Sequence, residues 1–321
     1  MSSRAARVRS RLGEAEALLV TDLTNIRWLT GFTGSNGWVV LAPDGLHLVT
    51  DGRYGVQASQ QMAAAGVKGE VLVGATGADM MAHLATACAP YRTVGFEAAH
   101  VSFHQHGQYA AAIGGELVPL VGTVEAERRT KDDAEIEAIA RACRIADEAL
   151  AEVAPLLANG LTEAQVRNRL ELRMRELGAS GPSYDTIVAT GPHNAALPHH
   201  RPTGTVIEPG HTVIIDVGAL VDGYHSDMTR SFVVGEPTSV QRELYELVLA
   251  AQMAGVAAVR PGLSALFVTK TESVQHLKLL DEVVTDLEKQ RGMKAGSIGF
   301  GAMIEHPRAL SQIHDIAEHG P

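Results

Sequence analysis

The stretch Thr212-Val213-Ile214-Ile215-Asp216-Val217-Gly218-Ala219-Leu220-Val221-Asp222-Gly223-Tyr224-His225-Ser226-Asp227-Met228-Thr229-Arg230-Ser231-Phe232-Val233 decides how this chain is read. An apolar, β-branched run leads to Asp222-Gly223, a strong hairpin signal, and a second strand-like run returns from Tyr224. If the hairpin turns about that dipeptide, Asp216 lies opposite Thr229. Asp227 then becomes its diagonal neighbour on the same face, roughly 7–8 Å away at Cα. Two carboxylates so placed can converge on a metal ion. An aspartate inside an apolar strand is also costly without a partner.

The surroundings read as alternating strands and helices, an α/β (α+β) chain. Ala17–Val20, Gly37–Leu41 and Leu46–Val49 are strand-length apolar runs, with Asp44-Gly45 marking a turn between the last two. Residues 58–65 and 80–89 have helical composition, and Val94–Phe96 and Leu117–Leu120 suggest further strands. Arg129 to Glu135 opens a long helix, acidic in its first turn as the helix dipole favours. Ile136, Ile139, Cys143 and Ala146 form its apolar stripe. Another helix follows Thr162, a plausible N-cap, and residues 241–260 form one more, ended by Pro261-Gly262. Trp28, Phe32 and Trp38 are expected in a core. Arg4, Arg7, Arg9 and Arg11 are expected on a solvated helix face, and both Cys88 and Cys143 as buried thiols.

Composition bounds the function. The chain has 321 residues, 45% of them hydrophobic, and a formal net charge of −10. The negative charge argues against nucleic acid or an anionic membrane as partner. No run reaches the roughly 18 apolar residues that a spanning helix needs. With two widely spaced cysteines, a cytoplasmic location is expected. Basic residue choice also shifts along the chain. Up to Ala265 there are 19 Arg and two Lys; from Leu266 onward there are two Arg and four Lys. That shift suggests a junction near residues 264–267. Beyond it, Leu266–Val268 and residues 297–304 read as strands, and residues 273–291 and 306–318 as helices, a β-α-β-α order.

Several segments carry a family resemblance: Thr24 to Phe32, Thr50 to Tyr54, Arg129 to Glu135, Tyr184 to Gly191, Asn194 to His200, and above all Gly210 to Arg230. With these, residues 1–265 resemble the Xaa-Pro aminopeptidase/dipeptidase family. The resemblance implies a creatinase-like N-terminal domain over 1–125 and an incomplete pita-bread metallopeptidase domain over 126–265. It implies two divalent ions, manganese or cobalt, held by two Asp, one His and two Glu, with Asp216 and Asp227 as the aspartates. It makes His199 the histidine that contacts substrate, a small peptide with proline at its second position. A homodimer is also open. After Asp227 the remaining histidines are His276, His306, His314 and His319, none in the glycine-rich context of the family's histidine ligand. With two ligands of five, the resemblance implies impaired hydrolysis.

Residues 266–321 resemble an internal fragment of the citrate lyase β-subunit family, a (β/α)8 barrel. The matching pieces are Val268 to Ser273, Arg291-Gly292-Met293 and Ala302 to Pro307. This second resemblance implies magnesium, with Glu305 as a metal carboxylate. The alternatives to a peptidase are a non-catalytic fusion or chimeric product, a binding module, and an acyl-CoA carbon–carbon lyase.

Overall fold

The computed structural model describes residues 3–197, 199–258, 265–268 and 299–302. The chain divides into two compact units, Met1–Glu137 and Ala138–Pro321. In the first, chain order runs α1 (Ser3–Arg9), β1 (Ala17–Val20), α2 (Leu23–Thr30), β2 (Gly37–Leu41), β3 (Leu46–Asp51), α3 (Gly55–Ala64) and β4 (Glu70–Gly74). It continues through α4 (Gly77–Cys88), β5 (Thr93–Glu97), α5 (Phe103–Ala112), β6 (Glu116–Leu120) and α6 (Thr123–Arg128). The strands form one mixed sheet in the order β4-β3-β2-β1-β5-β6. Because side chains alternate across a strand, Leu18 and Val20 face a core with Ile26, Leu29, Phe32 and Met62. Ala17 and Leu19 face the other core, with Leu84, Cys88 and Tyr109.

The expected strands and helices of this unit are present, and Trp28 and Phe32 are buried. The turn expected at Asp44-Gly45 joins β2 to β3, with Pro43 and Asp44 at its corners, since Ala42 and Gly45 exchange both backbone hydrogen bonds; proline presets the backbone of the first corner. One expectation is corrected. The arginines at the start are not a free solvated face. Arg4 donates to the Trp28 carbonyl at 2.9 Å and sits 4.9 Å from the Trp28 ring centroid. Arg7 pairs with Glu127 at 2.8 Å, Arg11 pairs with the same carboxylate, and Arg9 donates to the Ala42 carbonyl at 2.7 Å. These four side chains fasten α1 and the turn after it to the structure around them.

The helix α7 (Asp133–Val153) leads into the second unit, where a 3-10 turn (Ala154–Asn159) precedes α8 (Glu163–Glu176). Then come β7 (Gly181–Pro182), β8 (Ile187–Thr190), α9 (Gly191–Asn194), β9 (Thr212–Val217), β10 (Ala219–Val221), β11 (Tyr224–His225), β12 (Met228–Val233) and α10 (Ser239–Ala258). β9 is the central strand of an antiparallel sheet ordered β12-β9-β8. Its residues Val213, Ile215 and Val217 are fully buried in a core with Ala142, Ala146, Ala149, Leu170 and Met174 from α7 and α8. The buried stripe of α7 is therefore Ala142, Ile145, Ala146, Ala149, Leu150 and Val153. Ile136 is 54% exposed and Cys143 is exposed, which corrects the expected stripe and the expected burial of both thiols. The buried α7 residues share one core with Val188 of β8 and Val213, Ile215 and Val217 of β9, and burial in that core selects the face.

Two short strands lie beyond α10: β13 (Ala265–Val268) and β14 (Gly299–Ala302) pair in parallel, as the β-α-β order predicts. The helices expected at 273–291 and 306–318, and Glu305, lie outside the described residues. Among the described residues no helix is long and apolar enough to cross a membrane.

Candidate active site

The hairpin has the expected register. β12 places Thr229 opposite Asp216, and on the other side β8 places Ile187 opposite the same residue. Past Val217 the ladder opens, then resumes as Leu220 opposite His225 and Val221 opposite Tyr224 without slipping. The two corner residues, Asp222 and Gly223, have φ of 51° and 82°. Positive φ at both corners is the type I′ turn that suits the twist of paired strands. Asp227 therefore falls opposite Gly218, diagonal to Asp216.

Hydroxyl groups fill the opening in the ladder. Ala219 N donates to Ser226 Oγ at 2.9 Å, and Ser226 Oγ donates to the Ala142 carbonyl at 3.1 Å. The Ser183 hydroxyl is shared between the Ala219 carbonyl at 2.9 Å and the Ser226 carbonyl at 2.7 Å. A Cβ on Gly218 would stand 1.9 Å from the Ser226 carbonyl oxygen. Glycine is thus the residue that lets the Ser226-Asp227 backbone come close enough to turn Asp227 out of the ladder.

Asp216 is half-buried and Asp227 is exposed, yet one side chain reaches both. The Tyr184 hydroxyl donates to Asp216 Oδ1 and lies 2.9 Å from Asp227 Oδ1. A phenol has a single proton to donate, so the two carboxylates share it. Burial pushes the Tyr184 phenol up, and the hydrogen bonds to Asp216 and Asp227 push it further. Paired carboxylate oxygens are hard donors of the kind that suit manganese or a similar divalent ion. Among the described residues, no group of three or more His, Cys, Asp or Glu side chains is placed to hold a metal. Asp216 and Asp227 would supply carboxylate oxygens to such an ion, and its remaining ligands would have to come from other groups.

His199 belongs to a different segment. β8 runs from Ile187, beside Asp216, to Thr190, roughly 10 Å further on, and the chain then passes through residues 191–205. His199 is exposed and has a φ of 53°. Its neighbour His200 turns inward, where its Nε2 lies 2.9 Å from Glu163 Oε2. Glu163, at the first position of α8, is fully buried. Burial pulls its carboxyl up, but hydrogen bonds from His200, Asn194, Thr203 and Thr190 outweigh this and hold it below its ordinary 4.5. A carboxylate held down in this way contributes stability that is complete above pH 4.5. That stability is lost as pH falls through the lowered folded-state value. Acid titration followed by far-UV circular dichroism is accordingly expected to show a loss of structure that starts below pH 4.5 and is smaller in Glu163→Gln, with the other lowered carboxylates supplying the rest. An identical acid limb in the variant would refute this.

Tyr184 and Glu163 are the residues that sequence reasoning passed over. Tyr184 stood inside a matched segment, but nothing in its spacing shows that its hydroxyl reaches two aspartates. Glu163 reads as an ordinary acidic residue in a first helical turn, and its burial is set by the later segment 190–205.

The family model for "Creatinase/Prolidase N-terminal domain" matches residues 4–130, and that for "Metallopeptidase family M24" matches residues 137–277. The second match continues past the junction read near 264–267. An uncharacterized peptidase of Bacillus subtilis, YqhT, is 36% identical over 252 residues, which cover 78% of this chain and 69% of that protein. The Xaa-Pro dipeptidase of Pyrococcus furiosus is 39% identical over 181 residues, 56% of this chain and 48% of that protein. Among solved structures, an Xaa-Pro dipeptidase from Bacillus anthracis superposes with a TM-score of 0.77 at 33% identity, covering 90% of this chain and 77% of that one. An X-Pro aminopeptidase from Thermotoga maritima gives 0.74 at 30% identity, with 89% and 78% covered. The resemblance of residues 266–321 to the citrate lyase β-subunit family finds no support in these matches.

Proposed function

The chain belongs to the metallopeptidase family that carries a creatinase/prolidase N-terminal domain, and we propose from this that it is an Xaa-Pro-type metallo-aminopeptidase or dipeptidase by descent, with impaired hydrolysis. Its substrate class is small peptides with proline at the second position, cut at the bond before proline. The observation that carries the reading is the convergence of Asp216 and Asp227 on one hydroxyl. Two relatives are described as Xaa-Pro dipeptidases, which supports it.

Divalent ions, manganese or cobalt, would be held at Asp216 and Asp227. Bound there, such ions supply Lewis acidity and lower the pKa of water. The protein's own residues do the rest of what can be assigned. The hairpin register fixes the two carboxylates, Tyr184 orients them, and exposed His199 offers an imidazole to the substrate. The impairment follows from two of five ligands, which lowers both affinity for metal and its positioning.

Full-length protein incubated with Ala-Pro and with a Gly-Pro-Ala tripeptide in excess manganese is expected to release product slowly. Asp227→Asn is expected to abolish that release. Metal-replete protein that releases no product from either peptide would overturn the peptidase reading. It would favour the second one, a non-catalytic module or fusion product, in which Tyr184 simply caps two leftover carboxylates. The lyase alternative has no residue in the described structure to support it.

A further inference from the structure

Five donors meet on one buried carboxylate at the start of α8. Thr190 N at 2.8 Å and Asn194 Nδ2 at 2.9 Å approach Glu163 Oε1. His200 Nε2, Thr203 N and Thr203 Oγ1, each at 2.9 Å, approach Oε2. All five belong to residues 190–203, the segment that contains His199. A carboxylate has about four lone-pair sites, so Glu163 is saturated by this one segment. The backbone adds to the attachment: Glu163 N donates to the Thr205 carbonyl at 3.1 Å and Ala164 N to the Thr203 carbonyl at 2.9 Å. Beginning, middle and end of the segment are thus tied to the first turn of one helix.

We propose that Glu163 is a positioning residue for His199: by fixing His200 inward and clamping both ends of segment 190–205, it sets the backbone conformation that turns His199 outward. This rests on the reading of His199 as a substrate contact. Two observations point the same way. His199 is one of two non-glycine residues with positive φ among the described residues, and the other sits at the corner of the hairpin turn. Left-handed backbone is uncommon for a residue with a side chain, and it persists where the surroundings over-determine it. The surroundings here are the buried His200 on one side of His199 and the ties at Thr190 and Asn194 on the other. A carboxylate also suits this place because helix N-termini favour negative charge, while the same group buried without donors would be strongly disfavoured.

A role limited to holding the fold together predicts that the whole unit responds to Glu163 variants alike. Positioning predicts a selective effect, which solution NMR of the isotope-labelled full chain can read. Positive φ brings a residue's amide proton close to its own Hα, so His199 should show a strong intraresidue cross-peak. Glu163→Gln keeps the size of the side chain but turns an NH2 group toward donors. It is expected to leave the amide shifts of Val213 and Ile215 in β9 in place, while the His199 cross-peak is lost and residues 190–205 shift. Retention of the His199 cross-peak with β9 intact would overturn the proposal. If Glu163→Gln loses the β9 signals as well, Asn194→Ala and His200→Ala take its place, each removing one bond to the carboxylate. A weakened His199 cross-peak is then expected in both, and an unchanged one in both would overturn the proposal. Titration of the wild-type chain with Ala-Pro separates the two layers. A His199 imidazole that does not respond overturns the substrate contact, and the cross-peak experiment independently decides the positioning.

Discussion

Gly218→Ala is expected to destabilise the second unit by about 3 kcal/mol, near the upper end of what forced overpacking costs. The added methyl would stand 1.9 Å from the Ser226 carbonyl oxygen and 2.9 Å from Ser183 Oγ. Backbone on the two sides of the hairpin would have to move apart, because the two nearest atoms are the carbonyl oxygen and carbon of Ser226, at 1.9 and 2.8 Å. The bonds that close the open part of the ladder, Ser183 Oγ to the Ser226 carbonyl and Ala219 N to Ser226 Oγ, would lengthen together. The distribution of tryptophan makes the effect separable. Both tryptophans, Trp28 and Trp38, belong to the first unit. Urea unfolding of Gly218→Ala is therefore expected to show a lower midpoint by circular dichroism and an unshifted midpoint by tryptophan fluorescence. Unchanged midpoints by both probes would show that the hairpin accommodates the methyl without strain.

The same hairpin shows how much could be read before any coordinates. Alternation, the Asp222-Gly223 turn signal and the even count between the aspartates gave the register, because side-chain direction in a strand has a period of two. The Gly218 opening was not legible. It depends on Ser183, which is distant in sequence and supplies the hydroxyl that replaces ladder bonds. For α7 the helix was legible from its acidic first turn and apolar content, and its face was not. The apolar residues Ile136 and Cys143 compete with a stripe of alanines, and only the core shared with Val188, Val213, Ile215 and Val217 decides between them. Arg4, Arg7, Arg9 and Arg11 failed for a related reason. Local spacing describes a charged helix face equally well whether it meets water or the Trp28 ring, Glu127 and the Ala42 carbonyl. The family resemblance made a claim that local pattern does not make. It named Asp216, Asp227 and His199 as a set, although the structure places the histidine on a segment of its own.

The carboxylate pair makes the other large expected effect one of metal linkage. Tyr184→Phe removes the single proton shared by Asp216 and Asp227, a hydrogen bond to charged groups worth about 2 kcal/mol. It also leaves two like charges facing each other with only solvent to screen them. The variant is therefore expected to melt at a lower temperature than the wild type in metal-free buffer. A divalent ion bound by both carboxylates takes over the role of the phenol proton, so manganese should recover more stability in Tyr184→Phe than in the wild type. A ligand that binds only the folded state at about a hundred times its dissociation constant adds about 2.7 kcal/mol, enough to offset the lost hydrogen bond. Asp216→Asn combined with Tyr184→Phe removes one of the two charges and is expected to abolish the manganese effect. Thermal melts by circular dichroism, with and without manganese, compare all three proteins. A manganese-induced rise that survives Asp216→Asn would place the ion elsewhere and remove these aspartates from the metal site. A rise confined to chains that keep both carboxylates would establish Asp216 and Asp227 as a working half-site.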